Sequence, residues 1–222
     1  MSKPTSEDRR RDFRKKVILA RHGRTEWNDA GLFQGRTDIP LNEKGKDQAK
    51  RLARRLASWP VQAVYASPLT RALDTARAVA APHALEPVVL KGLEEINFGI
   101  WEGLSVPYLA EQGALSDWEK DPLFNAPEDG ESWEALSERV GQALETIQKD
   151  GFEHVVVVSH GGIMRVIYAL LVGLSPHTVW RLRVHNCAMT GLEICEHETA
   201  IVFSNDDLHL RVSPEDASLP VW

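Results

Sequence analysis

The sequence has little of what membrane-spanning or secreted proteins contain. Its longest apolar run, residues 163–174, is interrupted by Arg165 and is far shorter than the roughly 20 apolar residues that cross a bilayer. Only four apolar residues, 17–20, follow the basic N-terminus before Arg21, which is too few for the core of a signal peptide. We therefore expect a cytoplasmic protein that does not bind membranes.

Cysteine is also scarce, and no metal-binding motif is present. Cys187 and Cys195 are the only two cysteines, and their spacing fits neither a CxxC motif nor a zinc ribbon. The sequence contains no HExxH motif and no carboxylate cluster with ligand spacing. These absences predict reduced thiols and a site that holds no metal ion.

The charge is unevenly distributed along the 222 residues. Residues 1–16 carry seven Lys or Arg against three acids, a net charge of +4, whereas the whole chain has −6. The remainder is therefore strongly acidic, which argues against nucleic acid as a partner. We expect residues 1–16 to form a flexible basic arm, residues 17–212 a single domain and residues 213–222 a tail.

Apolar runs alternate with amphipathic stretches, which is typical of an α/β fold with a mostly parallel sheet. We predict a three-layer sandwich with helices on both faces of the sheet. Strands are predicted at residues 17–20, 61–66, 154–159, 186–195 and 199–203. Helices are predicted after an Asn42 cap, at residues 69–81 after a Ser67-Pro68 cap, from Ser132 or Asp129 onward, and at residues 163–171.

Residues 97–131 break this pattern, because Gly, Pro and Trp are frequent and no periodicity is visible. We predict that this segment is a flap inserted over one end of the sheet. Its aromatic residues allow two interpretations. They could form a small core within the flap, or an apolar wall for the substrate.

Polar clusters directly follow three of the predicted buried strands. They are Arg21-His22-Gly23, the residues 67–71 and the residues 159–162. The carboxyl ends of parallel strands meet at one edge of a sheet, where ligands bind in open α/β folds. Arginines and helix N-termini at that edge favour a phosphate group.

Four segments make the sequence resemble the histidine phosphatase (phosphoglycerate-mutase-like) superfamily. They are LARHGRTEWN at residues 19–28, ASPLTRA at 66–72, EINFGIWEG at 95–103 and VSHGG at 158–162. The resemblance implies a phosphatase such as the α-ribazole or broad-specificity phosphatases, which need no cofactor. It also implies that the substrate is a small phosphorylated metabolite, and it leaves a homodimer open.

The resemblance also implies roles for individual residues. His22 is the expected nucleophile, which becomes phosphohistidine, and Glu95 is the expected acid and base. Arg21, Arg71 and His160 would hold the phosphoryl oxygens. Further substrate-binding contacts are expected from Thr25, Asn28, Gln34, Gly35 and Gly161.

Several alternatives remain open at this stage. Glu94 competes with Glu95 as the acid, although the family's acid precedes a pair such as Ile96-Asn97. Glu102 could orient the site or cap the next segment, and His185 could lie at the rim. Mutase action is disfavoured, because residues 99–139 contain two basic residues against ten acids. A non-catalytic protein that binds phosphorylated ligands is the alternative of another class.

Overall fold

The computed structural model describes residues 13–118, 120, 125–195 and 198–212. Within these residues one mixed sheet has the strand order β3-β2-β4-β1-β5-β6. The strands are β1 (Phe13–Arg21), β2 (Ala63–Ala66), β3 (Val88–Val89), β4 (His154–Ser159), β5 (Met189–Cys195) and β6 (Thr199–Asp206). Only β5 runs antiparallel to the others. This arrangement confirms the α/β class and the mostly parallel sheet.

The central strand β4 illustrates how the sequence builds the core. Its four consecutive valines are at most 1% exposed, and alternate side chains point to opposite faces of a strand. Accordingly, Val155 and Val157 belong to one hydrophobic cluster, whereas Val156 and Val158 belong to another. A β-branched run of this kind suits a strand that is covered on both faces.

Helices contribute to both clusters. The described helices are α1 (Glu26–Asp29), α2 (Glu43–Leu56), α3 (Thr70–Ala80), α4 (Val106–Glu111), α5 (Leu115–Trp118), α6 (Trp133–Lys149), α7 (Gly161–Val172), α8 (Pro176–Val179) and α9 (Leu208–Arg211). Apolar residues of α2 and α3 pack in the cluster around Val156. Those of α6 and α7 pack in the cluster around Val157.

The structure tests two of the predicted helix starts. Asn42 caps α2 as expected, because its side chain accepts a hydrogen bond from Gly45 N. The predicted Ser67-Pro68 cap is wrong: α3 begins at Thr70, and its N-cap residue Leu69 makes no side-chain cap. The Ser67 hydroxyl oxygen accepts a local bond from Leu69 N at 3.3 Å and makes its shorter contact, at 2.8 Å, with His160.

The predicted basic arm is too long at its C-terminal end. Residues 13–16 belong to β1, and Lys15 is only 4% exposed. Its ammonium group donates to the Ile147 carbonyl and to Asp150. Residues 1–12 and 213–222 lie outside the described residues, so the rest of the arm and the tail stay predictions.

The predicted flap contains more structure than its sequence indicates. It includes a 3₁₀ turn at Gly99–Trp101 and the helices α4 and α5, while Phe124 lies outside the described residues. Phe98 and Trp101 are at most 7% exposed, and both contact Phe33 with ring centroids 4.9 and 5.6 Å apart. Trp118 continues this aromatic cluster to Trp180 at 5.1 Å. The aromatics therefore form a core that joins the flap to the domain.

Two glycines in helices give opposite predictions for substitution by alanine. A Cβ on Gly45, near the start of α2, would lie 2.0 Å from the Arg24 carbonyl oxygen, whereas a Cβ on Gly141 in α6 would meet nothing within 4 Å. Gly141→Ala should raise the free energy of unfolding by about 1 kcal/mol through helix propensity. Gly45→Ala should lower it, because the backbone of Arg24 must move. Urea denaturation of both variants measures this, and equal shifts would contradict the tight contact.

Candidate active site

The register of the parallel strands brings three polar clusters together. Arg21 of β1 pairs with Ser159 of β4, and Ala66 of β2 pairs with Val158. The residues that directly follow these three strands therefore lie at the same carboxyl end of the sheet. They are His22, Ser67 and His160. The rings of His22 and His160 lie with their centroids 5.1 Å apart.

His22 is held so that one ring nitrogen is fixed and the other is available. Its Nδ1 lies 2.7 Å from the Gly23 carbonyl oxygen. A carbonyl can only accept, so Nδ1 carries the hydrogen and Nε2 keeps a lone pair. Burial, together with Arg71 and Arg21, lowers the pKa of His22 well below its usual value. The imidazole is therefore neutral and nucleophilic.

His160 is completely buried, and its Nε2 lies 2.8 Å from the Ser67 hydroxyl oxygen. That oxygen also accepts from Leu69 N at 3.3 Å. We assign the Ser67 proton to this contact, so that the hydroxyl donates to Nε2 and the ring hydrogen of His160 is placed on Nδ1. Nδ1 is buried without a partner. Burial and the neighbouring Arg71 lower the pKa of His160 well below its usual value.

Backbone carbonyls accept hydrogen bonds from the terminal guanidinium nitrogens of two arginines. Arg71 is fully buried and donates to the carbonyls of Gly35 at 2.6 Å and Thr37 at 2.8 Å. Arg21 donates to the Val184 carbonyl at 2.7 Å. The Nε atoms of both residues are buried without a partner. Burial lowers the pKa of Arg21 to about 10 despite the opposing effect of Glu95, so both groups remain cations.

The two adjacent glutamates point in different directions. Glu95 accepts hydrogen bonds from Ile96 N at 3.0 Å and from Gly162 N at 3.2 Å. The latter contact places its carboxyl at the first turn of α7, next to His160. A Cβ on Gly162 would lie 2.5 Å from the Glu95 carboxyl. Glu94 instead has a carboxyl oxygen 3.8 Å from Arg36 Nε.

The five residues predicted as further substrate contacts fall into two groups. Thr25 donates to Gln34 at 2.9 Å, and Asn28 accepts from Thr25 N at 3.2 Å, so these three form a network beside His22. Gly35 uses its carbonyl for Arg71, and Gly161 uses its carbonyl for Arg165 at 2.8 Å. The structure therefore shows them supporting charged side chains.

Asn186 is a residue of the site that the sequence did not reveal. It is 8% exposed and donates to the His22 carbonyl at 3.0 Å and to Asn28 Oδ1 at 3.1 Å. The following residue, Cys187, adopts a left-handed backbone with φ 55° and donates its N–H to the Arg21 carbonyl at 3.0 Å. The sequence predicts that Asn186 opens a strand near the site rim, next to His185, but no motif gives it a role, and the strand itself begins at Met189.

A cleft of about 920 Å³ opens beside the site. Arg21, Asn28 and Asn186 line it, and so does His185. The Nδ1 atom of His185 pairs with Asp207 at 2.9 Å. The lining also includes charged residues of both signs, among them Glu43, Lys44 and Asp47. Three basic residues (Arg21, Arg24 and Lys44) and three acids (Glu43, Asp47 and Asp207) line the cleft, so its charge is close to balanced.

No group of three or more His, Cys, Asp or Glu residues within the described ranges is arranged to hold a metal ion. Both cysteines are free thiols. Among the described helices, none has the length and apolar character needed to cross a membrane.

Comparison with known proteins gives a consistent set of relatives. The sequence profile of the histidine phosphatase superfamily (branch 1) matches residues 17–207. Phosphoserine phosphatase 1 of Hydrogenobacter thermophilus is 34% identical over 88% of this chain and 94% of its own length. A probable phosphoglycerate mutase of Yersinia enterocolitica is 32% identical over 81% and 85%. The solved α-ribazole phosphatase of Shigella flexneri has a TM-score of 0.77 and 29% identity, covering 86% of this chain and 96% of that structure.

The contact between Ser67 and His160 predicts the tautomer of this histidine. In Ser67→Ala no donor faces Nε2, so the ring hydrogen should move in part from Nδ1 to Nε2, the tautomer that dominates in free histidine. Imidazole ¹⁵N NMR at neutral pH measures the change. Ser159→Ala is the control, because this buried hydroxyl donates to the Leu93 carbonyl at 2.8 Å. An unchanged His160 spectrum in Ser67→Ala would contradict the assignment.

Proposed function

The chain belongs to the histidine phosphatase superfamily, branch 1, and on that premise we propose that it hydrolyses the phosphomonoester of a small phosphorylated metabolite through a phosphohistidine intermediate. One observation carries the proposal. The free Nε2 of His22 lies in a site where one buried nitrogen on each of three neighbours, Nε of Arg21, Nε of Arg71 and Nδ1 of His160, has no partner. A phosphoryl group supplies acceptors for all of them.

In the first half-reaction, the Nε2 lone pair of His22 attacks phosphorus and the bond to the leaving oxygen breaks. Glu95 gives its proton to that oxygen, so the product leaves as a neutral alcohol. The Nδ1–H bond to the Gly23 carbonyl keeps the ring oriented as Nε2 becomes bonded to phosphorus. No prior deprotonation is needed, because the imidazole is already neutral.

In the second half-reaction, Glu95 takes a proton from water, and the water oxygen attacks phosphorus. The P–N bond breaks and its electron pair returns to Nε2 of His22. Inorganic phosphate leaves, and Glu95 is protonated again for the next cycle. The same carboxyl therefore serves as acid and then as base, as microscopic reversibility requires.

Arg21, Arg71 and the Nδ1–H of His160 hold the three non-bridging oxygens in this proposal. Negative charge on these oxygens is redistributed as the phosphoryl group transfers, and preorganised donors stabilise it without reorganisation. Removing one such donor typically costs about 10²–10³-fold in kcat. Thr25, Asn28, Gln34, Gly35 and Gly161 complete the site by fixing these groups or their ligand.

Two features favour hydrolysis over mutase action, although one relative bears a mutase name. The cations that reach the flap are already paired: Arg139 binds Glu131 at 2.6 Å, and Arg36 binds it at 3.0 Å. A phosphoglycerate needs further free cations for its carboxylate, and a mutase must also accommodate the second phosphate. The nearly balanced cleft suits a leaving group of low net charge. A protein that only binds phosphorylated ligands would not need a carboxyl at Glu95.

The family works without a metal ion, and we propose the same here. The cytoplasmic location and the lack of nucleic-acid or membrane partners remain part of this proposal, as does a homodimer. The free thiols of Cys187 and Cys195 suit a reducing compartment.

The first test concerns His22. Brief reaction with ³²P-labelled substrate, quenched without acid, should trap an acid-labile, base-stable phosphoprotein. His22→Ala should trap none, because it removes the imidazole whose Nε2 is free to attack phosphorus. His154→Ala, which changes a histidine at the other end of β4, should trap as much label as the parent. Label retained by His22→Ala, or found on serine, would refute the mechanism.

The second test concerns Glu95. Glu95→Gln should lose about 10²–10⁴-fold on alkyl phosphates, whose leaving group needs a proton. With p-nitrophenyl phosphate the first step should survive, since nitrophenolate departs unaided. Phosphohistidine should then accumulate as a burst, because the second step lacks its base.

Glu94→Gln is the matched control, since it changes the adjacent carboxyl that faces Arg36. It should behave nearly like the parent on both substrates. If the two variants exchange these behaviours, the acid is Glu94 and the assignment is wrong.

A further inference from the structure

Glu102 lies in the flap, yet its carboxyl is bound mainly by a distant loop. Oε1 accepts from Arg36 N at 2.9 Å and from Phe98 N at 3.2 Å. Oε2 accepts from the backbone N of Thr37 at 2.9 Å and from its hydroxyl at 2.5 Å. Three of these four donors belong to the segment 36–37, more than 60 residues earlier. Capping of the local turn accounts only for the bond from Phe98.

The same segment holds the buried arginine of the anion site. The carbonyls on either side of Arg36, those of Gly35 and Thr37, accept both terminal nitrogens of Arg71 at 2.6 and 2.8 Å. The backbone therefore alternates between N–H groups that face Glu102 and carbonyls that face Arg71. Gly35 has a φ of +50°, and a Cβ there would lie 1.9 Å from Glu102 Oε1. The loop and the carboxyl are thus packed directly against each other.

Only a carboxylate satisfies this arrangement. All four contacts are donors, and they are divided between the two oxygens. In a glutamine, the NH₂ group would replace one of the two oxygens. It would then face two donors, either Arg36 N and Phe98 N or the two donors of Thr37. A buried donor left unpaired costs more than the mean value of a hydrogen bond, so the loop would shift.

We propose that Glu102 is a positioning residue for Arg71, which fixes the 35–37 loop from the flap and so sets how tightly the site grips the phosphoryl group in the transition state. This proposal rests on the phosphatase function proposed above. It assigns this flap residue a role beyond the local turn, because loosening the flap at Glu102 would also release the anchors of Arg71.

The test compares Glu102→Gln with Asp150→Asn. Asp150 is also a nearly buried carboxylate that accepts from two side chains, Lys15 and Tyr65, but it lies at the opposite edge of the sheet. Thermal denaturation, kcat and KM for p-nitrophenyl phosphate, and the dissociation constants of vanadate and inorganic phosphate are measured for both variants.

Glu102→Gln should weaken vanadate binding and lower kcat by up to about 10²-fold, the effect of a misplaced catalytic group. Inorganic phosphate affinity and KM should change less, because Arg71 acts most strongly on the transition state, which vanadate mimics. Asp150→Asn should lower Tm and leave vanadate affinity unchanged. If Glu102→Gln behaves in the same way as Asp150→Asn, Glu102 is only structural and the proposal is overturned.

Two further variants keep the test decisive if Glu102→Gln does not fold. Thr37→Val removes one of the four donors and should weaken vanadate binding in the same direction by a smaller factor. In an Arg71→Lys background, the substitution at Glu102 or Thr37 should weaken vanadate binding little further. The effects of residues that act through one another are not additive. Full additivity would overturn the proposal. A parent protein that neither hydrolyses phosphomonoesters nor binds vanadate would instead refute the proposed function.

Discussion

The parallel register of β1, β2 and β4 is the constraint on which the site depends. Arg21 pairs with Ser159, and Ala66 pairs with Val158. The three strands therefore end close together at the carboxyl end of the sheet. His22 N then donates to the Ser159 carbonyl at 2.9 Å, and Ser67 N donates to the Val158 carbonyl at 3.1 Å. A slip of one residue would turn every side chain of the strand to the other face. The apolar alternation that builds both cores therefore also fixes the positions of the two histidines.

Burial gives these groups their chemistry. The site places two arginines beside two histidines in surroundings that exclude water, and this combination disfavours further positive charge. The pKa of each histidine falls as a result, which keeps a lone pair on His22. The arginines stay protonated because each is anchored on backbone carbonyls. Desolvation thus leaves the histidines neutral and the arginines charged within one site.

Much of this could be predicted from the sequence, because the signals are local. The four valines of β4, the Asn42 cap and the three polar clusters each lie in a few consecutive residues. What could not be predicted depends on long-range contacts. Ser67 has the pattern of a helix cap, but its partner His160 lies 93 residues away. Asn186 donates to the His22 carbonyl, and Glu102 accepts from Arg36 N and Thr37 N. The sequence raises a role for Glu102 in orienting the site, but only the folded chain brings it to these partners. The sequence predicts the start of β1 four residues too late. Two consecutive lysines, Lys15 and Lys16, are typical of an exposed segment, and the partner of Lys15, Asp150, is distant in the sequence.

The unpartnered nitrogens of Arg21, Arg71 and His160 also matter for the stability of the fold. Folding removes these polar atoms from water before any ligand arrives, so the empty state retains an uncompensated desolvation cost. An anion that bonds to them binds the native chain and not the unfolded one, and it stabilises the fold by mass action. Inorganic phosphate, the product of the reaction, would then also protect the enzyme against unfolding. The occupancy of the site and the free energy of unfolding would then both increase with the phosphate concentration.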